Sequence, residues 1–174
     1  MTDLVHDPVR RQRYRFSREG DRLRVEVWAD PGGDVPAHSH PAQEERFEVL
    51  AGEVRFRVDG RTHRAGAGDR VVAPAGARHS FKNTGKVEAR LLVEVEPALE
   101  LQGFLEEAAA LARAGKYTRM GIPKGLRAAL ELAELVDRYR DVTVMAFPPA
   151  PLQRVSVAPL ARLERRRREG RGRP

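Results

Sequence analysis

Four side chains in this sequence have the types and spacing to hold a divalent metal: His38, His40, Glu45 and His79. On a strand, residues two apart face the same side, separated by about 6.6 Å, so both imidazoles of His38 and His40 can converge on one ion. Glu45 lies an odd number of residues beyond His40, and a bend at Pro41-Ala42 resets the parity. After that bend Glu45, Phe47 and Val49 share the apolar face, while Glu44, Arg46 and Glu48 share the other. Alternation therefore selects Glu45 over Glu44 as the inward carboxylate. His79 follows the turn Pro74-Ala75-Gly76 and shares a face with Phe81, so it too is expected to point inward. Three neutral imidazoles and one carboxylate suit Fe, Mn, Ni or Zn and leave coordination positions open. A divalent ion with one carboxylate carries a net charge of about +1, which favours an anionic or chelating oxygen ligand. Phe47, Val49, Phe56 and Phe81 are expected to line a dry pocket around it. Glu45 is the sole candidate for a base, and no other inward acid-base group is evident. His6 and His63 read as surface residues. Cysteine is absent, which excludes disulfides and thiolate ligands.

The elements that must position these residues are strands. From Asp21 to Glu96 the pattern has period two: Leu23, Val25, Val27 and Ala29 alternate with polar residues, as do Val54, Phe56 and Val58 and, later, Ala89, Leu91, Val93 and Val95. Asp59-Gly60 is a hairpin signal, and Ala65-Gly66-Ala67-Gly68-Asp69 is a second turn. Trp28 falls on an otherwise polar face, so another element or a second subunit is expected to cover it. Short strands separated by Gly and Pro turns predict a sandwich or barrel.

After Pro97 the period changes. Leu101, Phe104, Leu105, Ala108, Leu111 and Ala112 have helical spacing, with Gly115 at the C-terminal stop; Leu126, Ala129, Leu130, Ala133 and Val136 predict a second helix. A third, through Leu152, Val155, Leu160 and Leu163, is expected to be interrupted at Pro159. The predicted organisation is an N-terminal arm (1–19), a β-barrel (20–97), a helical extension (98–165) and a disordered basic tail (166–174).

The net charge is +7, and residues 161–174, with seven Arg and two Glu, supply +5 of it. A charge block confined to one terminus reads as a solvated tail and argues against nucleic-acid binding. No run of about 20 apolar residues could span a membrane, and no apolar leader is present, so a cytoplasmic location is expected.

The metal-site segments resemble the cupin superfamily. Its first motif, G-x5-HxH-x(3,4)-E-x6-G, is matched by Gly32, His38, His40, Glu45 and Gly52. Its second, G-x5-PxG-x2-H-x3-N, is matched by Gly68, Pro74, Gly76, His79 and Asn83. The resemblance covers roughly residues 20–97. It implies a mainly β, double-stranded β-helix (jelly-roll barrel) followed by a C-terminal helical extension. It also implies one divalent metal held by His38, His40, Glu45 and His79, and assembly as a homodimer. The whole chain is similar to small bacterial single-cupin proteins with such an extension. Two functions follow as expectations. One is a metal-dependent enzyme, of oxygenase or of isomerase or decarboxylase type, acting on a small oxygenated or anionic substrate. The other is a non-catalytic protein that binds a metal or small ligand, as a sensor or accessory subunit.

Overall fold

In the computed structural model, which describes residues 3–145 and 150–171 (side chains 157–167 in the latter segment), two antiparallel sheets face each other. The strands are β1 (Val5–Asp7), β2 (Gln12–Glu19), β3 (Arg22–Ala29), β4 (Asp34–Ser39), β5 (Glu44–Ala51), β6 (Glu53–Val58), β7 (Arg61–Gly66), β8 (Arg70–Ala73), β9 (His79–Asn83), β10 (Ala89–Glu96) and β11 (Val144–Met145). The larger sheet has the order β1-β2-β3-β10-β5-β8 and the smaller β11-β4-β9-β6-β7. Among the described residues no strand pairing joins the two, so the jelly roll is a sandwich with open edges.

Cross-strand rungs build the core. Phe16 pairs with Val25, Val25 with Val93 and Val93 with Phe47, placing one apolar side chain from each of four strands in a row on the inner face. All are buried, with Phe16 fully so. Burial of such side chains contributes about 1.5–3 kcal/mol each before chain entropy is set against it.

Residues 1–19, expected as an arm, instead supply β1 and β2; β1 pairs with β2, and β2 pairs with β3. Gln12, Tyr14 and Phe16 alternate with Arg13, Arg15 and Ser17, the strand signature that the surrounding arginines obscured. Those arginines belong to a charge lattice on the outer face. Arg24 pairs with Glu94 at 2.9 Å, Arg22 with Glu96 at 3.0 Å and Arg90 with Glu26 at 2.9 Å, and Arg13 meets Glu88. Trp28 sits within this lattice, with the guanidinium groups of Arg15 and Arg90 each 5.4 Å from its ring centroid. Its cover is intramolecular, so Trp28 no longer argues for a second subunit.

Helix α1 (Leu101–Arg113) buries Leu101, Ala109 and Ala112, and Phe104, Leu105 and Ala108 pack on the core. It stops where the sequence predicts, at Gly115 with φ +66°. Helix α2 (Leu126–Arg138) follows, and α3 (Ala150–Arg171) packs on it. Two expectations are corrected here. Helix α3 runs through Pro159 without a break, tolerating the one amide bond that proline cannot make. The tail expected to be disordered from residue 166 is helical as far as Arg171. Arg165 pairs with Asp137 of α2 at 2.9 Å, and Arg167 with the buried Glu164 at 2.8 Å. Leu152 and Val155 lie outside the described side chains.

Candidate metal centre

The two motifs are tied to each other before they form a site. Gly76 N–H donates to the carbonyl of His40 at 2.8 Å, so the second motif's turn is fastened to the first motif's histidine. Gly32 N–H donates to the Asn83 carbonyl at 3.0 Å, and Asn83 N–H donates to the Gly33 carbonyl at 2.9 Å. The glycines are required by the backbone. Gly52 has φ +81°, and a Cβ there would sit 2.8 Å from the Ala89 Cα.

Within that frame β4 presents His38, the residue just after it is His40, β5 presents Glu45 and β9 presents His79. One ligand atom from each lies within 4.8 Å of all the others. His79 Nε2 is 2.8 Å from Glu45 Oε2, His40 Nε2 is 3.4 Å from Glu45 Oε1, and the Nε2 atoms of His38 and His40 are 3.1 Å apart. Glu45 is buried at 7% exposure, whereas Glu44 is half-buried and paired with Arg46 at 2.7 Å. Parity thus selects the inward glutamate correctly. His6 and His63 are exposed and belong to no cluster among the described residues.

Each imidazole is oriented by a backbone carbonyl. His38 Nδ1 meets Pro36 O at 2.9 Å, His40 Nδ1 meets Val142 O at 2.6 Å and His79 Nδ1 meets Ala77 O at 2.9 Å. A carbonyl only accepts, so all three Nδ1 atoms carry a hydrogen, and each ring in its neutral form would present the Nε2 lone pair inward. With both rings neutral, two such lone pairs 3.1 Å apart beside a carboxylate would repel unless a proton or a metal ion lay between them. The donor set therefore fits a divalent ion.

The electrostatics make a proton the competitor of a metal ion at this cluster. Burial, then the neighbouring imidazoles, pushes His38 down to about 3, which keeps it neutral. Burial acts against charge on His40, but the hydrogen bond and charge of Glu45 outweigh it and hold His40 above its ordinary value. Burial alone would raise Glu45; hydrogen bonds from His40 and His79 instead hold it well below the usual carboxylate range. The carboxylate is thus ionised and ready to ligate.

The cluster opens onto a cavity of about 540 Å³ between the inner sheet faces, α1 and α2. Phe47 and Phe81 line it as expected, together with Val25, Val27, Phe104 and Leu135. Val49 and Phe56, expected to line it, do not. Phe56 packs 5.2 Å from Phe47 and 5.9 Å from Phe81, ring to ring, closing the core behind them, and Val49 is fully buried there too. Several polar lining residues went unrecognised in the sequence. Asp7, Arg10, Gln12 and Tyr14 come from the supposed arm, and Tyr117 and Thr143 from the helical extension. The alternation of Gln12, Tyr14 and Phe16 was the signal available.

Paired jelly-roll sheets with an inward cluster of three histidines and one glutamate define a class of small β-sandwich proteins built around an internal polar site. Residues 25–95 match the family model of the cupin domain, which places that segment in the cupin superfamily. It is 39% identical over 67 residues to Protein SchB of Streptomyces halstedii, covering 38% of this chain and 49% of that one. It is 34% identical over 67 residues to Polyketide synthase CurC of Streptomyces cyaneus, covering 38% and 44%. The chain thus spans less than half the length of these two relatives. An RmlC-like cupin from Shewanella frigidimarina superposes with a TM-score of 0.53 at 22% identity, covering 58% of this chain and 88% of that one, a likeness of fold.

Proposed function

We propose that this cupin is a metal-dependent enzyme acting on an oxygenated substrate with a large apolar body. His38, His40 and His79 would hold one divalent ion through Nε2, and Glu45 through its carboxylate. Bound there, the ion would act as a Lewis acid on a carbonyl or enolate oxygen of the substrate. The observation that carries the reading is the cavity. Its volume of about 540 Å³ and walls of Val, Leu and Phe suit a drug-sized, mostly apolar molecule, with the histidine cluster as its strongest polar feature. The helical extension builds one wall without plugging the space, which supports turnover over a closed structural site.

The chain's own residues have separable tasks. Pro36, Ala77 and Val142 fix the imidazole tautomers through their carbonyls. Phe47, Phe81 and Phe104 exclude water and orient the apolar body. Thr143 follows the carbonyl that orients His40; its buried hydroxyl has no partner and can hydrogen-bond a substrate oxygen. The name of the CurC relative, a polyketide synthase, makes polyketides the first substrate class to try.

One observation favours the second reading, a non-catalytic ligand-binding cupin. The other carboxylates and phenols of the cavity gather around Arg10, away from the cluster, leaving Glu45 as the sole base candidate. Anaerobic and aerobic incubation of Mn(II)-, Fe(II)-, Ni(II)- and Zn(II)-loaded protein with hydroxylated polycyclic diketones, followed by mass spectrometry, separates the two. Conversion that is lost in His40→Ala supports the enzyme. Metal-dependent binding without conversion by any loaded form supports the binder.

A further inference from the structure

The cavity has a second polar end that the metal cluster does not explain. Gln12 is 1% exposed on the inner face of β2, lines the cavity, and its Oε1 accepts a hydrogen bond from the Tyr14 hydroxyl at 2.8 Å. Its Nε2 is buried and has no partner. Turning the amide over would move the free donor to the Tyr14 hydroxyl and would not remove it. A buried amide donor left unpaired costs about 1–3 kcal/mol, so a fold that retains one inside a cavity needs another reason for it.

Its surroundings are fixed by the same strands. The charges of Asp7, Arg10, Tyr117 and Asp34 all reach the Tyr14 phenol, so these groups form one cluster. Asp7 accepts from the Arg10 amide at 2.9 Å, Tyr117 donates to the Ala108 carbonyl at 3.1 Å, and Arg10 lies 3.8 Å from Asp34. Asp7 and Tyr117 are thus engaged, whereas the Gln12 Nε2 has no partner, and the Asp34 Oδ1, although 3.8 Å from Arg10, makes no hydrogen bond either. Strand β4 joins the two ends of the cavity: Asp34 begins it and His38 stands four residues on. At about 3.3 Å per residue, the Asp34 and His38 backbones are at most roughly 13 Å apart along that strand.

We propose that Gln12, held by Tyr14, is a second anchoring site that hydrogen-bonds a carbonyl oxygen at the far end of an elongated substrate. This rests on the proposed function, because the near end would carry the oxygens that meet the metal. The substrate class it selects is a rigid apolar skeleton of about two to three fused rings, with chelating oxygens at one end and a carbonyl acceptor at the other. Short acids and sugars cannot reach both ends.

The test uses two isosteric probes, 2-acetyl-6,7-dihydroxynaphthalene and 2-isopropyl-6,7-dihydroxynaphthalene, which share the chelating diol and differ in the distal acceptor. Binding to the full-length chain is measured by calorimetry with and without Zn(II), which is redox-silent. The acetyl probe is expected to bind Zn(II)-loaded wild type about tenfold more tightly, because a buried donor is satisfied by one probe only. In Gln12→Leu the ratio should fall to about one, and in Gln12→Asn, which withdraws the amide by one methylene, to an intermediate value. The wild-type ratio stands even if a variant folds poorly. Equal Zn(II)-dependent affinities in wild type, or a ratio unchanged in Gln12→Leu, would overturn the second anchor and leave the metal site standing. Affinities that do not respond to Zn(II), or no binding by either probe, would overturn the proposed function and the two-ended mode with it.

Discussion

Asn83 closes the second motif, yet the structure gives it no place in the metal cluster, and replacing it separates the two jobs that one motif performs. Its side chain is fully buried. Nδ2 donates to the carbonyls of Ala29 and Val87, both at 2.8 Å, and Oδ1 accepts from Gly85 N–H at 2.9 Å. These bonds pin the turn before β10 to the end of β3. Asn83→Ala removes all three. The Ala29 carbonyl lies deep in the core and bears the full penalty of a lost partner, while the Val87 and Gly85 groups are half-buried and partly recovered by water. The sum is about 3 kcal/mol. For a chain of this size that corresponds to a fall of about 6–12 °C in Tm. Asn83→Asp keeps the volume and the acceptor for Gly85 but loses both donated bonds and buries a charge, so it should cost at least as much near neutral pH. The assay is guanidinium unfolding of the apo protein, with metal content of the loaded protein measured in parallel. A loss below about 1 kcal/mol, or a metal-to-protein ratio that falls in still-folded variant, would refute the assignment of Asn83 to the scaffold.

Other outcomes follow from the same coordinates. His40→Ala should strip most of the metal after chelation and dialysis, whereas Glu44→Gln should retain it; the reverse pattern, read by elemental analysis, would reassign the carboxylate. Burial raises the Asp7 carboxyl above its ordinary value, against the pull of the Arg10 amide and charge. The contribution of Asp7 to stability is therefore present in acid and lost as pH rises through its folded-state value. Asp7→Asn keeps an acceptor for Arg10 N–H and cannot ionise, so its stability relative to wild type should improve from about pH 4 to pH 7. Urea unfolding across that range would contradict this with a flat or falling difference.

The cluster of His38, His40, Glu45 and His79 was legible because two physical rules act locally. Alternation decides which of Glu44 and Glu45 faces inward, and the Pro74-Ala75-Gly76 turn brings His79 across. The second end of the cavity was hidden because it depends on strands that do not look like core. Gln12 and Tyr14 face inward between Arg13 and Arg15, whose charges are neutralised by glutamates on neighbouring strands, and only the pairing shows this. The line between lining and core residues was also beyond alternation: Phe47 and Phe56 both face inward, and three-dimensional packing alone puts Phe47 at the cavity and Phe56 behind it. Pro159 misled for a simpler reason. A helix braced along its length, as α3 is on α2, can lose one amide bond and continue.

The site draws His38, His40 and His79 from the smaller sheet and its margin, and Glu45 from the larger. Since no backbone ladder connects the sheets among the described residues, an ion in this position would act as a rivet through both layers at one end of the sandwich. Occupancy would then be a mechanical variable as well as a chemical one. With the rivet in, the layers would be locked where the substrate's oxygens must be held; with it out, that end would be held by the contacts of Glu45 with His79 and His40 alone, while the end pinned by Asn83 stays shut. Backbone amides of β4 and β9 near the histidines should accordingly exchange hydrogen more slowly once Zn(II) is added, with little change around Asn83; uniform slowing along both strands would show that the layers do not hinge in this way.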